Sequence, residues 1–301
     1  DARLRTDFNI RTGFQVQDLP RIKYKSKMKE YYRRAGIPVA RWVIAESIGV
    51  CLDFIREVKY PVIVKPDNGV GASHTYKLNN DRELVDFFAS KERGVSYIME
   101  EFIHAEINSY DAIIDSHGEP VFETGNCTPI SIMDSVNYGD DAIFYIVQHL
   151  SDDTRQAGRD TVKSFGVKSR FVHFEFFRLL SDHEGIGKKG TLMALEVNMR
   201  PCGGFTPDMI NYARETDVYK IWADMIAFDR TDKKIGAYHF CGYDGLRDYK
   251  NYVLSHEEIM AKYGSQIKMT GRLSDALAPA MGNRFYMAIF DTQEELDGFF
   301  A

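Results

Sequence analysis

The chain has 301 residues, of which 44% are hydrophobic and 27% charged, a composition that excludes disordered and collagen-like chains. Its 38 Lys and Arg against 44 Asp and Glu give a net charge of -6 without a basic block, which argues against nucleic-acid binding. The N-terminus has no apolar signal core, and no apolar run reaches the roughly 20 residues that span a bilayer. We therefore expect a cytoplasmic protein without membrane contact. The 4 cysteines are scattered without a Cys-x-x-Cys pair, which predicts reduced thiols rather than disulfides or a zinc site.

The first third of the chain alternates between short helices and short strands. Helical spacing of apolar residues and the stop signal Gly36-Ile37-Pro38 define the first helix. The predicted elements are a helix over 25–35, a strand over 39–44, a helix over 51–58, a strand over 60–64, a helix over 81–91 and a strand over 97–99.

Hairpins and helices follow in the remaining two thirds. We predict a hairpin from strands over 109–114 and 120–124, a polar loop over 125–138, a helix over 153–165, a second hairpin from strands over 170–180 and 191–198, and a helix over 217–228. Beyond 238, short strands mix with helices over 256–263 and 293–300. Strands paired as antiparallel hairpins predict an α+β protein.

A lysine and two glycines follow the predicted strand over 60–64. Residues 65–73 read Lys-Pro-Asp-Asn-Gly-Val-Gly-Ala-Ser. Glycines let backbone N–H groups approach an anion while Lys65 neutralises it, so the segment fits a phosphate-binding loop. It is not a Walker A loop, because no Gly-Lys-Ser/Thr closes it. An ordinary glycine turn with a solvated lysine fits the segment equally well.

The second predicted hairpin carries two glutamates and an asparagine. Alternation along a strand places His173 and Glu175 on one face of its first strand. The same rule places Glu196, Asn198 and Arg200 on one face of the second. Buried carboxylates need a compensating cation, and an all-oxygen set suits Mg²⁺, with Arg200 beside the metal as an anion clamp. The alternative is that both glutamates face solvent as cross-strand partners of Lys or Arg.

Two further segments bear on nucleotide binding. The stretch Met99-Glu100-Glu101-Phe102-Ile103 follows a short strand, and its backbone could pair with a purine while its apolar side chains cover the ring, although such charged residues are usually a solvated edge. Residues 185–190 match the pattern G-x-G-x-x-G, but they join two strands and no helix follows. Because the dinucleotide motif needs a strand, a glycine turn and a helix, we interpret this match as a hairpin turn.

Taken together and in this order, these segments resemble the ATP-grasp superfamily of carboxylate–amine ligases over residues 21 to 228. The resemblance makes Lys25, upstream of Ala35-Gly36-Ile37-Pro38, the first nucleotide-binding lysine, with Lys27 as its competitor, and Lys65 the second. It implies that Arg200 and Lys65 are catalytic, Arg200 by steadying the transferred phosphoryl group. The implied metal ligands are Glu175, Glu196 and Asn198, and the implied nucleotide-binding residues are Lys25, Lys65, Gly69, Gly71, Ser73, Glu100, Glu101, Phe102, Ile103 and Glu106.

The resemblance also implies an α+β ATP-grasp fold, in which two α+β lobes grip ATP between antiparallel sheets. We expect residues 1–24 to be the remnant of an N-terminal lobe that is otherwise largely absent. Residues 25–103 would form the small lobe, with its glycine-rich flap and hinge. Residues 104–301 would form the large lobe, with the metal site and a C-terminal α+β extension. The chain begins without Met, which is consistent with a missing upstream part.

The activity implied by the resemblance is ATP-dependent ligation of a carboxylate to an amine through an acyl phosphate, with release of ADP and phosphate. The cofactors would be ATP and Mg²⁺, with Mn²⁺ as an alternative metal, and the partners would be a small carboxylate, a small amine and, as one arrangement, a second copy of the chain. Two alternatives stay open: a nucleotide-binding regulatory or assembly subunit, and a biotin-carboxylase-like enzyme. The substrate cannot be read from the sequence, and the candidate substrate-facing residues are Asp134, Asn137, Arg178 and Thr206.

Overall fold

The computed structural model describes residues 2–10, 12–69, 74–129 and 140–301. The predicted site residues Gly71 and Ser73, and the substrate candidates Asp134 and Asn137, lie outside these ranges. The chain divides into two compact units: unit 1 is 1–105, 156–167 and 175–197, and unit 2 is 106–155, 168–174 and 198–301. Within the described ranges, no helix has the length and apolar character that crossing a membrane requires.

Helices and strands are mixed along the whole chain, as the sequence predicts for an α+β protein. The helices of the described residues are α1 (Ala2–Asp7), α2 (Leu19–Lys23), α3 (Lys25–Arg34), α4 (Ile48–Val58), α5 (Asp81–Ser90), α6 (Asp152–Phe165), α7 (Thr206–Arg214), α8 (Val218–Phe228), α9 (His256–Tyr263), α10 (Ala278–Met281) and α11 (Gln293–Phe300), with a 3₁₀ turn over Val16–Asp18. The strands are β1 (Trp42–Ile44), β2 (Val62–Pro66), β3 (Tyr76–Leu78), β4 (Tyr97–Glu101), β5 (Ala105–Ile114), β6 (Pro120–Thr124), β7 (Asn126–Thr128), β8 (Ala142–Ile146), β9 (Arg170–Leu179), β10 (Leu192–Asn198), β11 (Phe240–Leu246), β12 (Ile267–Arg272) and β13 (Arg284–Phe290).

Unit 1 contains an antiparallel sheet in the order β1-β4-β2-β3. Val62 and Val64 of β2 are fully buried in a core that they share with residues of α4 and α5. Because side chains alternate along a strand, Lys65 points to the opposite face. On β4 the same alternation turns Glu100 away from Tyr97 and Met99 of this core. The second face of the sheet therefore presents a lysine and a glutamate.

Unit 2 is built around a larger sheet in which β9, β5, β7, β8, β11, β13 and β12 follow one another, with β6 paired to β5. Helices α7 and α8 cover it through buried apolar residues, among them Met209, Ile210 and Ile221. Helix α11 closes a second core with Leu296 and Phe299 against β13. The part of β9 in unit 1 neighbours β10, and Leu179 N donates to Thr191 O at 3.1 Å where the two strands turn, which confirms the second predicted hairpin.

The observed elements correct the sequence predictions in several places. β1 begins at Trp42 instead of 39, α4 at Ile48 instead of 51 and β5 at Ala105 instead of 109, and strands β3 and β8 were not predicted. β2 runs over Val62–Pro66 instead of 60–64, so Lys65 lies within the strand and not in the loop after it. β4 continues through Glu101 instead of ending at 99, because its ladder extends to the pair Val62 and Glu101. The predicted loop over 125–138 begins with the short strand β7, and residues 130–138 lie outside the description. Helix α7 was not predicted, because Gly203 and Gly204 precede it and Pro207 stands in its first turn, a position where proline is tolerated.

The hairpin turn inferred for residues 185–190 is confirmed, since β10 follows it and no helix does. All four cysteines lie in described residues, and none of them forms a disulfide bond there, as expected.

Candidate active site

The second face of the unit 1 sheet carries a buried ion pair. Lys65 Nζ lies 2.7 Å from Glu100 Oε2, and the two side chains are 10% and 7% exposed. Burial opposes the charge on the lysine, but Glu100 outweighs it and raises the pKa of Lys65. The sequence placed Lys65 in a phosphate-binding segment, and the structure places it on the strand itself, where its ammonium group is held by a fixed partner.

Helix α3 adds two more buried lysines to this face. Lys29 Nζ lies 2.7 Å from Glu100 Oε1. Lys25 Nζ donates to the carbonyl oxygen of Gly69 at 3.0 Å and lies 3.6 Å from Glu196 Oε2. Residues four apart on a helix share a face, which is why one helix delivers both lysines. Lys25 and Lys65 are both buried, whereas Lys27 is exposed and paired with Glu30. Nucleotide binding by either buried lysine stays a prediction.

Asp67 fixes the start of α3 against the segment that follows β2. Its carboxylate accepts hydrogen bonds from the Ser26 backbone N–H and the Ser26 hydroxyl, both at 2.7 Å, and its carbonyl oxygen accepts from Lys25 N at 2.8 Å. A carboxylate at a helix N-terminus satisfies backbone donors that have no partner within the helix. Asp67 therefore anchors Lys25 beside Gly69. Sequence reasoning gave Asp67 no role.

Two glutamates lie close to these lysines within unit 1. Burial is the largest cause that raises the pKa of Glu196, and repulsion from Glu175 adds to the rise, while the attraction of Lys25 and Lys65 opposes it. The charges of both glutamates, after burial itself, also raise the pKa of the fully buried Tyr32. Both glutamates are half-buried, and two carboxylates that repel each other away from bulk water are the arrangement that a divalent cation relieves. The carboxylates of Glu175 and Glu196 are therefore chemically suited to bind Mg²⁺.

Asn198, the third predicted metal ligand, is the last residue of β10 and is assigned to unit 2. It stands two residues after Glu196, so alternation directs both side chains to one face of the strand. Among the described residues there is no group of three or more His, Cys, Asp and Glu side chains that could hold a metal. The predicted set contains two carboxylates and an amide, and its role stays a prediction. Arg200 is exposed and donates to the Pro201 carbonyl oxygen at 2.9 Å.

The other residues implied to bind the nucleotide, Glu101, Phe102, Ile103 and Glu106, differ in what their side chains contact. The buried Glu101 carboxylate accepts three hydrogen bonds from Arg41, from its backbone N–H at 2.7 Å, Nε at 2.8 Å and Nη2 at 2.6 Å. Ile103 is buried in a small apolar cluster. The Lys77 ammonium nitrogen lies 4.2 Å from the centroid of the Phe102 ring. In unit 2, Glu106 accepts from Asn108 Nδ2 at 3.1 Å. Contacts of these residues with adenine or ribose stay predictions.

His173 is a buried histidine of unit 2. The sequence predicted which face of its strand it occupies but gave it no role. His173 Nδ1 lies 2.8 Å from Asp111 Oδ1, and both residues are buried. Ser109 donates a short hydrogen bond to Asp111 Oδ2, and its hydroxyl accepts from Asn126 N at 2.8 Å. Burial by itself lowers the pKa of a histidine, but Cys202 and Asp111 outweigh it and hold the pKa of His173 well above its ordinary value. The network fixes the His173 ring.

The described substrate candidates have structural contacts. Arg178 Nη1 donates to the Gly190 carbonyl oxygen at 3.0 Å, where the second hairpin turns. Thr206 is buried at the start of α7. A substrate role for either residue stays a prediction.

Glu100 makes folding sensitive to acid. Burial raises the pKa of a carboxyl group, but Lys29 and Lys65 outweigh it and lower the pKa of Glu100 from 4.5 to about 2. A folded-state pKa below the unfolded value stabilises the protein above the unfolded pKa, and this contribution is lost as pH falls through the folded pKa. We expect Glu100 to account for a loss on the order of 3 kcal/mol in the free energy of unfolding between about pH 5 and pH 2.

Urea unfolding at a series of pH values in that window checks this expectation. The Glu100→Gln variant has no carboxyl group at this position, so its free energy of unfolding should fall less steeply with acid than that of the wild type. Equal slopes for the two proteins would show that Glu100 does not carry the acid sensitivity.

The sequence and the fold were compared with those of known proteins, and similar proteins were found by both comparisons. No model of a known protein family matches the sequence. The carbamoyl phosphate synthase large chain of Pyrococcus furiosus is 26% identical over 106 residues, which is 34% of this chain and 10% of that one. The L-amino acid ligase of Bacillus licheniformis has a TM-score of 0.71 at 14% identity over 99% of this chain and 74% of its own. The biotin carboxylase domain of the Hydrogenobacter thermophilus 2-oxoglutarate carboxylase, solved with MgADP, ADP and bicarbonate, has a TM-score of 0.66 at 16% identity over 98% of this chain and 68% of its own.

At these identities the two solved structures establish the fold of the chain and leave its chemistry to be argued from its residues. The matched segment covers a small part of the large chain's length, so the activity of that relative as a whole does not carry over.

Proposed function

We propose that this chain, which has the ATP-grasp fold of carboxylate–amine ligases, is an ATP-dependent ligase that activates a carboxylate as an acyl phosphate and joins it to an amine. The observation that carries the proposal is the cluster of unit 1 in which the buried Lys25 and Lys65 lie with the half-buried Glu196 and Glu175. Buried lysines cost desolvation energy. A phosphate group would supply the compensating negative charge.

Lys25 and Lys65 would neutralise the negative charge of the phosphate groups. Phosphoryl transfer depends mainly on positioning and charge neutralisation, because the protein has little covalent chemistry to perform. Lys25 is fixed by the Gly69 carbonyl and Lys65 by Glu100, so both ammonium groups are held before a nucleotide arrives. Preorganised charges stabilise a transition state without reorganisation during the reaction.

Glu175, Glu196 and Asn198 would hold Mg²⁺, with Mn²⁺ as an alternative. The metal would neutralise phosphate oxygens in the transition state. Burial and repulsion from Glu175 keep the pKa of Glu196 raised in spite of Lys25 and Lys65, and a bound cation would stabilise the charged carboxylate further, which supports this assignment. Arg200 would steady the transferred phosphoryl group, and the exposed position of its side chain leaves it accessible to substrates.

The substrates would be a small carboxylate and a small amine. The glycines Gly203 and Gly204, just after Arg200, would let backbone groups approach a substrate closely, as in peptide-forming ligases. A cytoplasmic location and a homodimer belong to the same proposal.

Lys65→Ala tests the nucleotide site. We expect it to weaken binding of a non-hydrolysable ATP analogue with Mg²⁺ by at least about tenfold, because one buried ammonium group is lost from the phosphate site. Isothermal titration calorimetry measures the Kd. Lys27→Ala is the matched control, since Lys27 is an exposed lysine near the same cluster, and its Kd should stay within about twofold of the wild type. An unchanged Kd for Lys65→Ala would remove Lys65 from the site.

The reaction is tested by ADP release in the presence of ATP and Mg²⁺. Amino acids and small carboxylates are supplied singly and in pairs. Release that requires one specific pair would establish the ligase and identify its substrates. ATP binding without release for any pair would favour the nucleotide-binding regulatory alternative.

A further inference from the structure

Lys29 is a third buried lysine that the proposed function does not use. Its residue is 3% exposed, and its ammonium nitrogen lies 2.7 Å from Glu100 Oε1. The other carboxylate oxygen of Glu100 lies 2.7 Å from Lys65 Nζ. One carboxylate therefore bridges two ammonium groups, and each group occupies its own oxygen.

Lys29, Glu100 and Lys65 form a trio whose net charge depends on the second lysine. Lys65 and Glu100 alone form a neutral pair, which would attract a phosphate weakly, and the Glu100 carboxylate would repel it. With Lys29 on the second oxygen, the trio carries a net charge of plus one. An ammonium group has three N–H donors. Lys65 directs one of them at Glu100, so it retains donors for a phosphate oxygen. Because these side chains are buried, screening by solvent and salt is weak. The difference of one charge between the pair and the trio therefore changes the attraction for a phosphate strongly.

The position of Lys29 separates it from the other lysine on α3. Lys25 contacts the Gly69 carbonyl and Glu196, whereas Lys29 contacts Glu100. The two lysines lie four residues apart on one helical face, so a single helix places one lysine at each of two carboxylates.

We propose that Lys29 is a positioning residue that neutralises Glu100, so that Lys65 keeps its positive charge available for the phosphate groups of a bound nucleoside triphosphate. The proposal rests on the proposed function, since it concerns the same nucleotide site. Lys29 acts through Glu100 and is not itself placed against the nucleotide.

The test is a set of binding measurements with a non-hydrolysable ATP analogue and Mg²⁺. Lys29→Met removes the charge and is expected to raise the Kd about tenfold. Lys29→Gln keeps a hydrogen-bond donor without the charge, and we expect a similar loss, which also covers the case in which the Met variant does not fold. Adding Glu100→Gln to Lys29→Met removes the uncompensated carboxylate and restores a net charge of plus one, so the Kd should return to within about threefold of the wild type. Lys27→Met, on an exposed lysine two residues away, should stay within about twofold.

Thermal unfolding of each variant verifies that it is folded, and Lys65→Ala separates this inference from the proposed function. If Lys65→Ala weakens binding but neither Lys29 variant does, the role of Lys29 is wrong and the nucleotide site stands. If Lys29→Met weakens binding and Glu100→Gln does not restore it, Lys29 has a merely structural role and the inference is overturned. If Lys65→Ala has no effect, the nucleotide site fails, and the inference fails with it. Weakening by both Lys29 variants with recovery in the double variant supports it.

Discussion

Glu196→Gln is expected to reduce turnover of ATP by at least about 100-fold while the protein stays folded. The amide is close in size and shape to the carboxylate but carries no charge, so it binds a divalent cation weakly and leaves the transferred phosphoryl group without part of its neutralisation. The fold should survive because burial and Glu175 already oppose the charge of Glu196, and Lys25, which loses an ion partner, keeps its hydrogen bond to the Gly69 carbonyl oxygen. Removing its charge relieves that repulsion.

The measurement is ADP release with the substrate pair that activates the wild type. Glu184→Gln is the matched control, because Glu184 is an exposed glutamate in the turn of the same hairpin, and its activity should equal that of the wild type. Titration of Mn²⁺ in the presence of an ATP analogue, followed by electron paramagnetic resonance, gives a second readout that needs no substrate. A Glu196→Gln variant with full activity and unchanged Mn²⁺ binding would remove Glu196 from the metal site.

Period-two alternation is the signal that predicted the strand faces of the proposed metal ligands. It assigned Glu196 and Asn198 to one face of a strand, and the observed β10 contains both at that spacing. The hairpin over β5 and β6 was predicted within a few residues, because the turn Asp115-Ser116-His117-Gly118 carries turn-forming side chains and a glycine at positive φ. Local signals of this kind lie within a few residues of the structure that they determine.

The role of the Glu100 side chain could not be predicted in the same way. Charged residues at the end of a strand usually face solvent, and nothing near Glu100 in the sequence shows that Lys29 and Lys65 will meet it. Lys27 and Lys29 are the same residue type in the same helix, yet one is exposed and the other buried. Their difference arises from packing of α3 against the sheet, which depends on residues far away along the chain.

Arg214→Met is expected to destabilise the protein by about 3–5 kcal/mol, because it leaves several buried acceptors without a donor. Arg214 is 1% exposed in unit 2 and lies at the end of α7. Its guanidinium donates to Thr124 Oγ1 at 2.8 Å, Val147 O at 2.6 Å, His239 O at 3.2 Å and Ala213 O at 3.0 Å. Burial lowers the pKa of Arg214 to about 10, so the side chain is still charged at neutral pH.

Urea unfolding measures the loss, with Arg230→Met as a control at an exposed arginine, where we expect a change within about 0.5 kcal/mol. Arg214→Lys should also destabilise the protein, because a single ammonium group does not reproduce the planar fork that reaches acceptors on several segments. A loss below about 1 kcal/mol for Arg214→Met would mean that these acceptors find other donors, such as water.

The cost predicted for Arg214 comes from the acceptors that it would leave behind. Three of them are backbone carbonyl oxygens and one is a hydroxyl, and they come from segments before β7, after β8 and before β11 as well as from α7 itself. The Ala213 carbonyl keeps its hydrogen bond from His239 N at 2.9 Å, so the cost falls on the other three acceptors. An unsatisfied buried carbonyl costs about 1–3 kcal/mol, and methionine supplies no donor. Arg214 thus joins these strand ends through hydrogen bonds that no apolar side chain replaces. For this reason we expect the loss in Arg214→Met to exceed that of an ordinary large-to-small change at the surface by several-fold.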